Sequence, residues 1–150
     1  MADLLNVNTA STESRNEGAG LTDQEAKALA FTIAEAADDR KAADIKILKV
    51  SEVSYLADYF VVVTGFSNVQ VRAIARSVEN AVSERWQRKP INTEGTAEGR
   101  WVLQDYGEVI VHIFLPRERE YYDLEAFWGH AEVVEFISNP VGSEFRNPLQ

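Results

Sequence analysis

The sequence predicts an α/β protein in which a mixed sheet of about five strands is covered by helices. Three observations support this class: an amphipathic helical repeat early in the chain, an apolar β-branched run after it, and a hairpin pattern in the second half. The predicted elements follow the order α-β-β-α-β-β-β-α. A strand, a crossover helix and then a meander are typical of a mixed sheet with helices packed on it.

The first helix is predicted for residues 22–41. Thr22 and Glu25 have the spacing of a capping box, in which each residue satisfies a free amide of the other. Four small or apolar residues then recur at helical spacing and give the helix one buried face: Ala26, Leu29, Ile33 and Ala37.

Two strands of different character and a second helix come next. Residues 44–50 begin with alternating polar and apolar side chains, which indicates a strand with one exposed face. Residues 58–64 are apolar on both faces and predict a central strand. Ser67 and Gln70 then have capping-box spacing for a helix over 68–88. The predicted buried stripe of that helix is Val71, Ala75, Val78, Val82 and Trp86.

The second half of the chain predicts a β-meander and a last helix. A four-residue turn containing Gly107 suits a hairpin, and Pro116 can begin a helix that Gly129 closes. The predicted elements are a short strand at 91–94, hairpin strands at 100–104 and 109–115, a helix over 116–129 and a short helix at 132–137.

The predicted domain covers residues 21–137. Residues 1–20 are polar and rich in Ser, Thr, Asn and Gly, so we expect a disordered tail there, and a C-terminal tail at 138–150. The start of the chain has neither the basic and apolar regions of a secretory signal nor the Arg-rich composition of a transit peptide, so we expect a cytoplasmic protein. No apolar run is long enough for a membrane span.

The charge is uneven along the chain. The net charge is −9, and residues 94–135 carry ten acids against three bases. Such a surface repels phosphate backbones and attracts basic partners, so direct nucleic-acid binding is disfavoured. Simple solubility is an equally good explanation of the same charge.

Catalytic machinery is not recognisable in the sequence. The turn Gly65-Phe66-Ser67-Asn68 lacks the lysine of a phosphate-binding loop and is better interpreted as a tight turn with a Ser67 cap. His112 and His130 have no partner pattern for acid–base work. With no cysteine and no converging acids, we predict no catalytic, cofactor-binding or metal-binding residues.

Trp101 is the residue that most suggests a binding surface. It begins a short strand and is followed by Asp105, Tyr106 and Glu108. Tryptophan and tyrosine are favoured at interfaces because they bury a large area and keep a polar group. A core position for Trp101 remains the alternative, and the sequence does not separate the two.

Three stretches resemble one known family, the ribosomal silencing factor or Iojap-like family. The resemblance covers residues 22–130, and its most specific part reads W-x-x-x-D-Y-G-E-x-x-V-H from Trp101 to His112. The other two stretches are DYFVVVTG at 58–65 and YYDLEAFW at 121–128.

The resemblance implies a nucleotidyltransferase-like fold without that activity, because the paired acids of those enzymes are missing here. It also implies binding to ribosomal protein number fourteen of the large subunit, a basic protein. That binding would block joining of the small subunit and repress translation during nutrient limitation. The contact residues that carry over by motif are Trp101, Asp105, Tyr106, Gly107, Glu108 and Tyr121.

Other functions remain open at this stage. A large-subunit assembly factor would use the same surface, and a nucleotidyl- or phosphoryl-transferase would require nucleotide binding at 65–68. A homodimer that pairs through an edge strand and hides Trp101 is also possible.

Overall fold

The structure, a computed structural model, describes residues 20–138. The predicted tails at 1–20 and 138–150 therefore lie outside the described residues, apart from Gly20 and Ser138. The helices are α1 (Asp23–Asp39), α2 (Asn68–Trp86), α3 (Pro116–Tyr122) and α4 (Leu124–Phe127). The strands are β1 (Ala43–Lys49), β2 (Tyr59–Thr64), β3 (Asn92–Glu94), β4 (Trp101–Asp105), β5 (Val109–Phe114) and β6 (Glu132–Val134).

Within this part of the chain the strands form one mixed sheet in the order β3-β4-β5-β2-β1-β6. Strands β2 and β5 are parallel, and the other neighbouring pairs are antiparallel. The predicted mixed α/β sheet is thus confirmed, with six strands where about five were expected. The parallel pair lies at the centre, and this confirms the central position that the apolar sequence of residues 58–64 predicted for β2.

Helix α1 begins at the predicted capping box. The Thr22 hydroxyl accepts a hydrogen bond from the Glu25 amide at 3.0 Å, and the Glu25 carboxylate accepts one from the Thr22 amide at 2.9 Å. These bonds satisfy amides that have no partner inside the helix. The predicted apolar face of the helix is buried, including Leu29 and Ile33.

The sheet has two differently covered faces. Alternate residues of the central strands, such as Val61 and Val111, pack in the core with α1 and α2. We call this the helix-pair face. The remaining residues, such as Phe60 and Ile110, form a smaller cluster with side chains of the α4 region, including Trp128. We call this the second face, and it carries the candidate site.

Two sequence predictions near the C-terminal end are wrong. The short helix expected at 132–137 is instead β6, which pairs with β1 from Glu132 to Val134. The single helix expected over 116–129 is interrupted at Asp123, whose φ of 46° is left-handed and incompatible with a continuing α-helix. Among residues 20–138, no helix is both long enough and apolar enough to cross a membrane.

Candidate functional site

Trp101 reaches the second face because β4 alternates between the two sides of the sheet. Val102 packs in the core with α1 and α2, and Gln104 donates from its side-chain amide to the Ala75 carbonyl of α2 at 3.0 Å. With a period of two residues, Trp101 and Leu103 point the opposite way. Both pack against the cluster on the second face and remain partly exposed.

The Trp101 indole is fixed by its neighbours. Its Nε1 donates a hydrogen bond to Nδ1 of His112 at 3.2 Å. Its ring centroid lies 4.8 Å from that of Phe114 and 4.6 Å from that of Tyr122. The ring is therefore neither sealed in the core nor free in solvent, which answers the question that the sequence left open.

His112 is held in the neutral form by its surroundings. The side chain is buried, and its ring lies 5.1 Å from Phe60 in an edge-on arrangement. Burial lowers the pKa of His112 from 6.5 to about 4. Because Nδ1 accepts from Trp101, the proton of the neutral ring is on Nε2. His112 thus accepts a hydrogen bond from a neighbouring strand inside the protein.

The β4–β5 turn is ordered by its own side chains. One carboxylate oxygen of Asp105 accepts from the Gly107 amide at 2.8 Å. Gly107 has a φ of 94°, a conformation that glycine adopts without strain. Glu108 forms an ion pair with Arg88 of the α2–β3 connection at 2.8 Å. The negative charge of Glu108 is thus largely compensated within the protein.

Tyr106 does not lie where the sequence interpretation put it. It was expected on the contact surface, but its side chain is fully buried in the core on the helix-pair face. Continuing the alternation of β4 by one residue places Tyr106 on the same side as Val102 and Gln104. The Tyr106 ring cannot touch a partner in this conformation, so we leave it out of the candidate surface.

Tyr121 and Tyr122 extend the exposed apolar area around Trp101. Tyr121 is 78% exposed and Tyr122 is 48% exposed, and their rings meet edge to face at 4.9 Å. Tyr122 and Leu103 were missed from the sequence, although the spacing of Leu103 two residues after Trp101 predicts the same face. We define the Trp101 surface as Trp101, Leu103, Asp105, Tyr121 and Tyr122.

The acidic residues of the second half do not form one patch. Ion pairs join Glu98 to Arg100, and Glu125 to Arg119. Glu94 lies in β3 at one edge of the sheet and Glu132 in β6 at the opposite edge. The expectation of a concentrated acidic face is therefore corrected: the apolar rings, rather than the net charge, distinguish the Trp101 surface.

The glycine turn after β2 is occupied by structural contacts. The Ser67 hydroxyl accepts from the Gln70 amide at 3.0 Å, which confirms the predicted cap. The Gln70 side chain accepts from the Phe66 amide, one residue before the position that a capping box requires. A Cβ on Gly65 would meet Val71 at 3.0 Å, so this glycine permits close packing of the turn on α2. Between residues 20 and 138, no group of three or more metal-ligating side chains comes together.

Comparison with known proteins decides the family. Residues 23–147 match the family described as "Ribosomal silencing factor during starvation". The chain belongs to the ribosomal silencing factor family. The resemblance seen in the sequence is therefore confirmed.

Individual relatives agree with this assignment. The chain is 43% identical over 110 residues to the ribosomal silencing factor of Bacillus subtilis, covering 73% of this chain and 92% of that protein. It is 36% identical over 113 residues to the chloroplastic Iojap protein of Zea mays, covering 75% of this chain but only 49% of the maize protein. The chain thus spans about half the length of that plant relative.

A solved structure confirms the fold. The crystal structure of a protein from Chromobacterium violaceum superposes with a TM-score of 0.66 at 39% sequence identity, covering 79% of this chain and 95% of that one. Both the sequence and the fold are therefore shared with that protein.

Proposed function

We propose that this ribosomal silencing factor homologue binds the large ribosomal subunit through the Trp101 surface. The proposed partner is ribosomal protein number fourteen of that subunit. The bound domain would prevent joining of the small subunit and so repress translation when nutrients are scarce. It would act in the cytoplasm, without a cofactor and without chemistry on the ribosome.

The observation that carries this proposal is the packing of Trp101. A large ring that is partly exposed and supported from behind by Phe114 and His112 has the form of an interface hot spot. Tyr121 and Tyr122 add exposed aromatic area beside it, and Asp105 supplies a carboxylate at its edge. Aromatic rings accept contacts from the aliphatic stems and cationic groups of lysine and arginine, which suits a basic partner.

The proposed mechanism is steric. The residues behind the surface belong to β4 and β5, which are hydrogen-bonded into the sheet, so the surface has a rigid support. A rigid domain held at the face between the subunits excludes the small subunit by its volume. The effect then depends on occupancy, and no bond is made or broken.

Co-sedimentation with purified large subunits tests the proposal. Trp101→Ala should weaken binding by about 2 kcal/mol or more, which is roughly thirtyfold. Val69→Ala is the matched control, because Val69 is an exposed apolar residue of α2, which packs on the helix-pair face. When small subunits are added, Val69→Ala should still prevent their association with large subunits, whereas Trp101→Ala should prevent it less. Undiminished binding of Trp101→Ala would remove Trp101 from the interface.

A second function, large-subunit assembly, is supported by one relative. The chain is 29% identical over 89 residues to a mouse protein named mitochondrial assembly of ribosomal large subunit protein 1, covering 39% of it. Ribosome profiles of a deletion strain distinguish the two functions. Accumulation of precursor particles in rich medium would indicate an assembly function. An excess of joined subunits that is seen only during starvation would indicate silencing.

A further inference from the structure

The β4–β5 pairing places His112 diagonally across from Trp101 on the second face. Leu103 lies opposite His112, and Trp101 lies opposite Phe114. Diagonal neighbours on antiparallel strands are within reach when both side chains are long and flat. The two rings accordingly meet at a centroid distance of 6.0 Å, with the hydrogen bond from Nε1 to Nδ1 at 3.2 Å.

His112 is itself fixed in place. Phe60 lies edge-on to its ring at 5.1 Å, and Phe114 is stacked with it at 6.1 Å. The side chain is only 5% exposed, so water does not compete for its nitrogen atoms. A buried neutral imidazole with one fixed orientation presents one acceptor atom to one donor.

We propose that His112 is the positioning residue that holds the Trp101 indole in its docking orientation. The inference rests on the proposed function for its consequence, although the contact itself is a property of the free protein. His112 does not touch the partner. It acts through Trp101, whose ring is set before the partner arrives.

Two consequences follow for recognition. A side chain that is already ordered loses less conformational entropy on binding than a free one. In addition, the single N–H group of the indole is used inside the protein, so the partner supplies no hydrogen-bond acceptor for it. The partner meets the face and edge of the ring, which are suited to aliphatic and cationic groups.

A double-mutant cycle on large-subunit binding tests the inference. His112→Leu removes the acceptor at similar volume, and we expect binding to weaken by about threefold to tenfold. Trp101→Phe removes the donor, so adding His112→Leu to that variant should cost nothing further. His112→Asn offers an oxygen near the position of Nδ1 and should recover part of the loss. An equal cost of His112→Leu in both backgrounds would overturn the inference, because a general effect on folding does not depend on the indole N–H.

A second measurement requires no ribosome. The indole ¹H–¹⁵N cross-peak of Trp101, identified by its loss in Trp101→Phe, should exchange with water more slowly in the wild type than in His112→Leu, and the exchange rate in His112→Asn should lie between the two. If His112→Leu fails to fold, the exchange rate and the binding of His112→Asn decide the question. Fast exchange in the wild type overturns the positioning role, whereas failure of the wild type to bind large subunits contradicts the proposed function and leaves the exchange result intact.

Discussion

Arg119 of α3 anchors the α4 segment that packs on the second face, and we predict how much stability is lost when its charge is removed. Its guanidinium donates to the Glu125 carboxylate at 2.6 and 3.1 Å and to the Thr64 hydroxyl at 2.8 Å. The two charged side chains are 10% and 26% exposed, respectively. Breaking a fully buried pair costs about 3–5 kcal/mol and a surface pair up to about 1 kcal/mol. We therefore expect Arg119→Met to lower the free energy of unfolding by about 2 kcal/mol.

Urea denaturation and thermal melts of a double-mutant cycle measure this effect. A loss of about 2 kcal/mol corresponds to a fall in Tm of roughly 4–8 °C for a chain of this length. Glu125→Gln should lower the free energy of unfolding by less than Arg119→Met does. The double variant should lose less than the sum of the two single losses, because the interaction between the two side chains can be lost only once. Purely additive losses would show that the pair does not stabilise the fold.

The pH dependence checks the same pair independently. Burial by itself raises the pKa of Glu125, but the hydrogen bond and charge of Arg119 outweigh it, and the pKa is lower than the ordinary 4.5. Stability from a lowered carboxyl pKa is present above that ordinary value and is lost as the pH falls below it. The difference between the wild type and Arg119→Met should therefore shrink in acid. A constant difference down to the pH of acid unfolding would contradict the assignment.

Two further predictions concern the residues around Trp101. The pKa of buried His112 is about 4, against 6.5 for an ordinary histidine. Between these two pH values the imidazole binds a proton in the unfolded chain but not in the folded one, so the free energy of unfolding should fall by roughly 3 kcal/mol from pH 6.5 to 4. Urea denaturation at several pH values in this range should show that the free energy of unfolding depends less on pH in His112→Asn than in the wild type. An equal pH dependence in the two proteins would refute this prediction. Gly95→Ala should lower the Tm more than Gly107→Ala although both glycines have positive φ, because a Cβ at Gly95 would lie 2.0 Å from the Trp101 carbonyl oxygen. Equal Tm values for the two variants would show that the loop before β4 changes conformation without a loss of stability.

The elements with strong local patterns were predictable from the sequence. The Thr22 capping box, the apolar stripe of α1 and the buried central strand β2 each depend on neighbours along the chain. Strand β6 was not predictable in this way. Its three residues are held by pairing with β1, which lies far away in sequence, and the same residues also satisfy a helical pattern.

The candidate site was predictable in part. The family stretch identified Trp101 and Asp105, and strand alternation would have separated Tyr106 from them. The contact between Trp101 and Tyr122 joins β4 to α3, and neighbouring residues along the chain do not specify it. The end of α3 at Asp123 was not predictable either, because its positive φ carries no distinct sequence pattern. Aspartate tolerates this conformation better than most residues, but it does so at only a minority of its positions.

Three ionisable groups around Trp101 are neutral or paired within the protein. His112 is neutral at physiological pH, and its accepting nitrogen is already engaged by the indole. Burial raises the pKa of the Tyr106 hydroxyl, so that group stays protonated. The Glu108 carboxylate is paired with Arg88. A general base needs a free lone pair close to the proton it removes. His112 and Tyr106 are buried and Glu108 is ion-paired, whereas the rings of Trp101, Tyr121 and Tyr122 remain partly or largely exposed to a partner.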